Sequence, residues 1–114
     1  MAVTDDHVRA IVAGLPETEE RDTWGHPTCR VRDTMFASMD NDGLTLTLKA
    51  SKAEQQALQS GRPDVFFVRK YVGVHGWVGI QLNGIDLEEL QELVTEAWRM
   101  TAPKRIVASF DDCQ

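Results

Sequence analysis

Residues 33–49, DTMFASMDNDGLTLTLK, decide the fold. Two runs of strand-forming residues flank Asp40-Asn41-Asp42-Gly43, a cluster of turn formers in which Gly43 can supply a positive φ. LTLTLK alternates strictly. That period puts Leu44, Leu46 and Leu48 on one face and Thr45, Thr47 and Lys49 on the other. The spacing predicts strands over Thr34–Met39 and Leu44–Lys49, and with them an antiparallel sheet that buries one face and leaves the other to water. Upstream, Thr28–Arg32 fits a further strand with Cys29 and Val31 inward and Thr28, Arg30 and Arg32 outward. The stretch before it, ETEERDTWGHP (17–27), has no apolar alternation and is expected to be a polar connection.

Downstream, FFVRKYVGVHGWVGIQL (66–82) predicts a strand pair, Val65–Val68 and His75–Leu82, with Val72–Val74 compatible with strand or turn. Val74, Val78, Ile80 and Leu82 form its inward set, which leaves His75, Trp77, Gly79 and Gln81 on the open side. Asn83-Gly84 then turns the chain.

Helices fill the remaining segments. Thr4 can cap a first helix with Asp5 and Asp6 in its first turn and a stripe of Val8, Ile11, Val12 and Leu15, ended by Gly14 and Pro16. Ser51 and Glu54 have capping-box spacing and start a short helix over about Lys52–Ser60, stopped by Gly61 and Pro63. Asp86 caps the strongest helix, with Glu89 three residues on and Leu87, Leu90, Leu93, Val94, Ala97 and Trp98 as its apolar stripe. TAPKRIVASF (101–110) fits a last short helix capped by Thr101, with Pro103 in its first turn. The expected fold is a two-layer α+β domain with helices on one face of an antiparallel sheet, in the order α-β-β-β-α-β-β-α.

A chain of 114 residues, 42% hydrophobic and 26% charged, fits one globular domain, residues 1–114. No apolar run approaches the ~20 residues of a membrane helix. The start, MAVTDDHVRAIVAGLPE, carries acids where a signal peptide has bases, so a cytoplasmic location is expected. Cys29 and Cys113 fit no CxxC or zinc spacing and are expected to be reduced thiols. The formal net charge of −6 opposes non-specific coating of nucleic acid. It conceals a basic middle, however. Residues 43–81 hold Lys49, Lys52, Arg62, Arg69 and Lys70 against Glu54 and Asp64. Residues 82–98 hold Asp86, Glu88, Glu89, Glu92 and Glu96 without a base, and Arg99, Lys104 and Arg105 follow.

The parity that buries the leucines gathers Arg30, Arg32, Lys49, His75 and Trp77 on one face. Cations around a tryptophan suit an anionic, flat or sugar-phosphate ligand, since bases stack on aromatics and cations hold phosphates. Solvated bases around a tryptophan folded over Gly79, or covered by the Trp24 loop, would give the same pattern. His26, Cys29 and His75 lack the spacing of a metal site, so no metal or other cofactor is expected. A Cys29–histidine pair is conceivable as nucleophile and base, but an inward strand cysteine is usually a small core residue. The chain has no Gly-rich phosphate loop, nucleophile elbow or HExxH.

Four stretches together resemble the MmcQ/YjbR family: TWGHPTCRVRDTMFA (23–37), GLTLTLK (43–49), YVGVHGWVGIQL (71–82) and IDLEELQELVTEAWRMTAPKR (85–105). The specific marks are Trp24-Gly25-x-Pro27, Met35-Phe36-Ala37, His75-Gly76-Trp77-Val78, and Ala97-Trp98-Arg99 followed by Ala102-Pro103-Lys104. The resemblance implies a bacterial α+β domain of the same element order, similar to the secretion-chaperone fold. It also implies DNA binding through a double-wing motif, and brings no catalytic residue or cofactor. On that reading Arg30, Arg32, Lys49, Lys70, Arg99, Lys104 and Arg105 contact phosphates, while Tyr71, His75 and Trp77 stack or read shape. The alternative is a module for a protein partner or a small anion, received on the Trp77 face or beside Trp24. An enzyme using Cys29 or a histidine is the third reading.

Overall fold

A computed structural model describes residues 3–23, 26–40, 43–68 and 76–112. The chain starts with α1 (Asp5–Ala13). Asp5 and Asp6 lie in its first turn, where carboxylates favour the helix dipole, and the backbone N–H of Thr4 donates to His7 Nδ1 at 2.9 Å. Val8 and Val12 are buried, with Ile11 packed against the core.

The next element corrects the expected polar connection. Residues Thr18–Thr23 form a strand, β1, paired antiparallel to β2 (His26–Val31) from Thr18↔Val31 to Thr23↔His26. Its order comes from its neighbours rather than from apolar burial. The Thr18 hydroxyl donates to Val12 O at 2.7 Å, and Arg9 Nε donates to Glu20 Oε1 at 2.8 Å, tying the strand to α1. An edge strand as charged as TEERDT is protected against pairing with another chain.

Then follow β3 (Thr34–Met39), β4 (Thr45–Leu48), α2 (Lys52–Gly61), β5 (Phe66–Phe67), β6 (Val78–Gln81), a 3-10 turn at Leu82–Gly84, α3 (Leu87–Thr101) and α4 (Lys104–Asp112). Among the described residues, six strands form one antiparallel sheet in the order β1-β2-β3-β4-β6-β5. The fold class is therefore the expected α+β one, with a fourth strand before α2 and a separate last helix added to the order.

Alternation and register fix the core. Cys29, Val31, Met39, Leu46, Leu48, Phe66, Val78 and Ile80 are at most 2% exposed, and meet Val8, Val12, Leu90, Val94, Ala97 and Trp98 from the helices. Each buried Val, Leu, Ile, Phe or Met among them contributes about 1.5–3 kcal/mol relative to exposure. Between Cys29 and Arg30 the β2–β3 register slips by one residue, so Phe36 and Ala37 are both fully buried.

Several local expectations are corrected. Leu44 precedes β4 and is 60% exposed rather than inward; its carbonyl accepts from Leu82 N. Leu87 is 45% exposed, so the stripe of α3 runs through Leu90, Val94, Ala97 and Trp98, with Leu93 at its margin. Thr101 ends α3 by donating to Ala97 O at 2.8 Å; the first turn of α4 instead hangs on the Pro103 carbonyl, which accepts from Ile106 N and Val107 N. At α2 the Ser51 half of the expected capping box is present, its hydroxyl accepting from Glu54 N at 3.1 Å.

Candidate functional site

Residues paired across an antiparallel ladder share a face. The ladders therefore define one row on the sheet face opposite the core. It runs from Arg21 on β1 through Thr28, Ser38 and Thr47 to Gly79 on β6 and Phe67 on β5. Thr45 and Gln81 stand on one side of this row, Arg30 and Met35 on the other. The middle of the row is small and hydroxylated. Thr28 is 2% and Thr47 9% exposed, so this is a partly enclosed floor rather than a bare wet face. The Thr28 hydroxyl donates to Arg21 O at 2.6 Å. Among the described residues the Ser38 and Thr47 hydroxyls form no hydrogen bond. The ring of Phe67 lies over Gly79, so close that a Cβ there would come within 2.3 Å of it. It is Phe67 that occupies the space expected for a folded-over Trp77.

The ten sequence-predicted site residues scatter. Arg30 faces the row's side, half-buried, and its guanidinium donates to Asp33 O at 3.1 Å. Trp77 lies one residue before β6, half-buried, with its carbonyl accepting from Gln55 Nε2 at 2.7 Å. Arg32 does not point outward from a strand. With Asp33 it makes the two-residue β2–β3 turn, both at positive φ (50° and 68°), and it holds Glu17 through bonds of 2.6 and 3.2 Å. That pairing keeps the Glu17 carboxyl below the usual carboxylate range. Lys49 also leaves the expected face. β4 ends at Leu48, and Lys49 lines a groove with Ser51, Glu54 and the α3 residues Glu96, Ala97 and Met100. Arg99 is on the helix side, 2.6 Å from Asp111, whose carboxyl it holds down. Lys104 and Arg105 lie exposed on α4. Lys70, Tyr71 and His75, like Trp24 and Cys113, fall outside the described residues.

Arginine charge is spent internally elsewhere too. Arg9 pairs with Asp5, Asp6 and Glu20, Arg21 with Glu19 and Asp33, and Arg62 with Glu89.

Cys29 and His26 are three residues apart in one strand and so point to opposite faces. Cys29 is 1% exposed. Burial, with the Glu20 charge adding, pushes its thiol from 9.0 up to about 12. In a Cys113→Ser background, Cys29 is therefore expected to resist iodoacetamide in the folded protein and to react only as the chain unfolds. The pH dependence has a definite sign. The unfolded chain ionises this thiol from about 9.0 and the folded chain only near 12, so its contribution to stability is intact below 9.0 and lost progressively between the two values. Rapid labelling of the folded protein would contradict the burial.

A family model described as YjbR matches residues 13–100. The chain belongs to the YjbR family. Similar family members include uncharacterised proteins of Mycobacterium tuberculosis and Mycobacterium bovis. Each is 32% identical over a 125-residue alignment covering 96% of this chain and 96% of the relative. A crystal structure of a Deinococcus radiodurans protein of the domain family DUF419 shares the fold, with a TM-score of 0.78 at 23% identity over 87% of this chain and 78% of that one. The family match ends before α4. No described helix is long and apolar enough to cross a membrane.

Proposed function

We propose that this YjbR-family chain is a non-catalytic binding module that receives an extended segment of a partner protein on the sheet face opposite the helices. The observation that carries the reading is the row Thr28, Ser38, Thr47 and Gly79. It crosses four strands with small side chains and includes two hydroxyls that form no hydrogen bond among the described residues. Hydroxyls donate and accept equally well, so such a floor suits the mixed N–H and C=O groups of a peptide. Phe67 at one end and Arg30 beside the row supply an apolar and a charged contact.

Duplex DNA is the less favoured ligand. Phosphate binding needs cations free to release counterions, and Arg9, Arg21, Arg32, Arg62 and Arg99 are all held by the chain's own carboxylates. The predicted cations Arg30, Lys49, Arg99, Lys104 and Arg105 are also divided between the sheet face and the helix side.

Two measurements test the reading. Fluorescence anisotropy with labelled duplex and single-stranded DNA is expected to show no saturable binding even at low salt, where electrostatics is most generous. Salt-sensitive binding weakened by Arg30→Ala would restore the DNA reading. Peptides selected by display on the wild-type chain are expected to be lost on Ser38→Arg, which crowds the row without touching the core. Equal retention by that variant would remove the sheet face from consideration.

A further inference from the structure

On the helix side, a groove of about 330 Å³ lies between the α1–β1 connection and α4, lined by Pro16, Glu17, Arg105, Ile106, Ser109 and Phe110. We propose that this groove binds a small amphipathic carboxylate, with its apolar tail on Pro16, Ile106 and Phe110 and its carboxylate on Arg105. This is a site separate from the sheet face.

Three observations converge on that ligand. First, the size is at the lower end of the range of about 300–1,000 Å³ typical of small-molecule clefts, and the lining is mainly apolar. Second, both walls are fixed by one buried side chain. Trp98 donates through Nε1 to Pro16 O at 3.0 Å, and its ring meets Phe110 edge-on at 5.0 Å, with the Arg99 guanidinium stacked on the other ring 5.6 Å from its centroid. A cleft held in this way loses little entropy when it is filled. Third, the charge at the rim is complementary to an anion. Arg105 forms no ion pair among the described residues, unlike Arg9, Arg21, Arg32, Arg62 and Arg99. Glu17 is near enough to feel Arg105, yet both of its oxygens are taken by Arg32. Glu17 also holds a left-handed backbone, φ 57°, which is uncommon for a residue with a side chain and occurs here at the groove wall. Ser109 adds a hydroxyl beside Arg105, one helical turn along α4.

The test uses the full chain and three probes of six carbons each: hexanoate, hexanol and hexylamine. Titrations followed by amide chemical shifts are expected to show hexanoate shifting residues 16–17 and 105–110, with hexanol weaker and hexylamine weakest. Arg105→Gln should weaken hexanoate by about tenfold, the value of one charge-assisted contact, and leave hexanol unchanged. Ser109→Trp, which fills the groove from an exposed position, should abolish both without moving the thermal midpoint. Equal affinity for hexanoate and hexanol, or hexanoate binding unaffected by Arg105→Gln, overturns the carboxylate assignment. Absence of localised shifts at millimolar hexanoate overturns the site.

Discussion

Trp98→Ala is expected to remove about 3–5 kcal/mol of stability, the range for deleting a large buried aromatic. Against a total of about 5–15 kcal/mol for a domain, that leaves a chain close to unfolding. The size of the effect follows from what Trp98 joins. Its side chain is fully buried on the inner face of α3, its Nε1 holds the Pro16 carbonyl, and its ring carries the edge of Phe110 from α4. Truncation therefore opens a cavity and unlinks α1, α3 and α4 together. Trp98→Phe separates these contributions. It keeps most of the packing but leaves Pro16 O, on a half-buried residue that water can reach, without its donor, and should cost nearer 1–2 kcal/mol. Urea unfolding followed by far-ultraviolet circular dichroism is the suitable measurement, since the substitution alters the fluorescence itself. An unchanged slope with a lowered midpoint is expected. A loss below about 1 kcal/mol for Trp98→Ala would show that α4 and the α1–β1 connection are anchored elsewhere.

The sequence made Trp98 legible because α3 has a full helical period and its wet face is acidic. The same holds for β4, where Leu46 and Leu48 alternate with Thr45 and Thr47. β1 was illegible for a physical reason. At an edge it pairs on one side only, its core-side positions are Thr18, Glu20 and Asp22, and its order rests on backbone pairing to β2 and on the Arg9–Glu20 bond. None of these leaves an apolar period to read.

The candidate site was legible only as a face. Alternation correctly opposed Thr45, Thr47 and Gln81 to the buried leucines and Ile80, but it fails where strands end. Lys49 lies one residue past β4, where the chain turns toward α2, and Arg32 sits in the tight turn itself. Alternation alone makes both of them outward strand cations. The row through Ser38, Thr47 and Gly79 depends on β4 pairing with β6 rather than with its sequence neighbour β5, a long-range choice that no local period encodes. Charge partnership was hidden in the same way. Arg32–Glu17 and Arg62–Glu89 join residues 15 and 27 positions apart, so cations that look open in the sequence are paired in space.

Gly76→Ala is expected to be the most damaging glycine substitution, costing about 2–5 kcal/mol from backbone strain and overpacking together. Gly76 has φ 95°, a conformation that a residue with a Cβ adopts only under strain. An added Cβ would also lie 2.4 Å from Ala50 O, 3.1 Å from Ser51 C and 3.2 Å from Lys52 N. These are backbone atoms of the chain entering α2 and cannot rotate aside. The neighbouring link makes retreat costly as well, because Gln55, 3% exposed, donates to Trp77 O across the same contact. Either the first turn of α2 moves and loosens the Ser51 cap, or residue 76 flips and carries Trp77 away from its position before β6. Gly79 presents a milder case, since the obstacle there is the far end of Phe67, a side chain that can swing outward. Gly61, at the end of α2 with nothing within 4 Å, provides the control. Alanine there should be neutral or stabilising by about 0.4–1 kcal/mol through the unfolded chain. Urea midpoints for the three alanine variants should therefore fall in the order Gly61, Gly79, Gly76, and amide exchange at Glu54 and Gln55 should accelerate in Gly76→Ala alone. A Gly76→Ala midpoint equal to that of Gly61→Ala would mean that residues 76–77 are not clamped to α2, and the position of Trp77 beside the sheet face would then owe nothing to that helix.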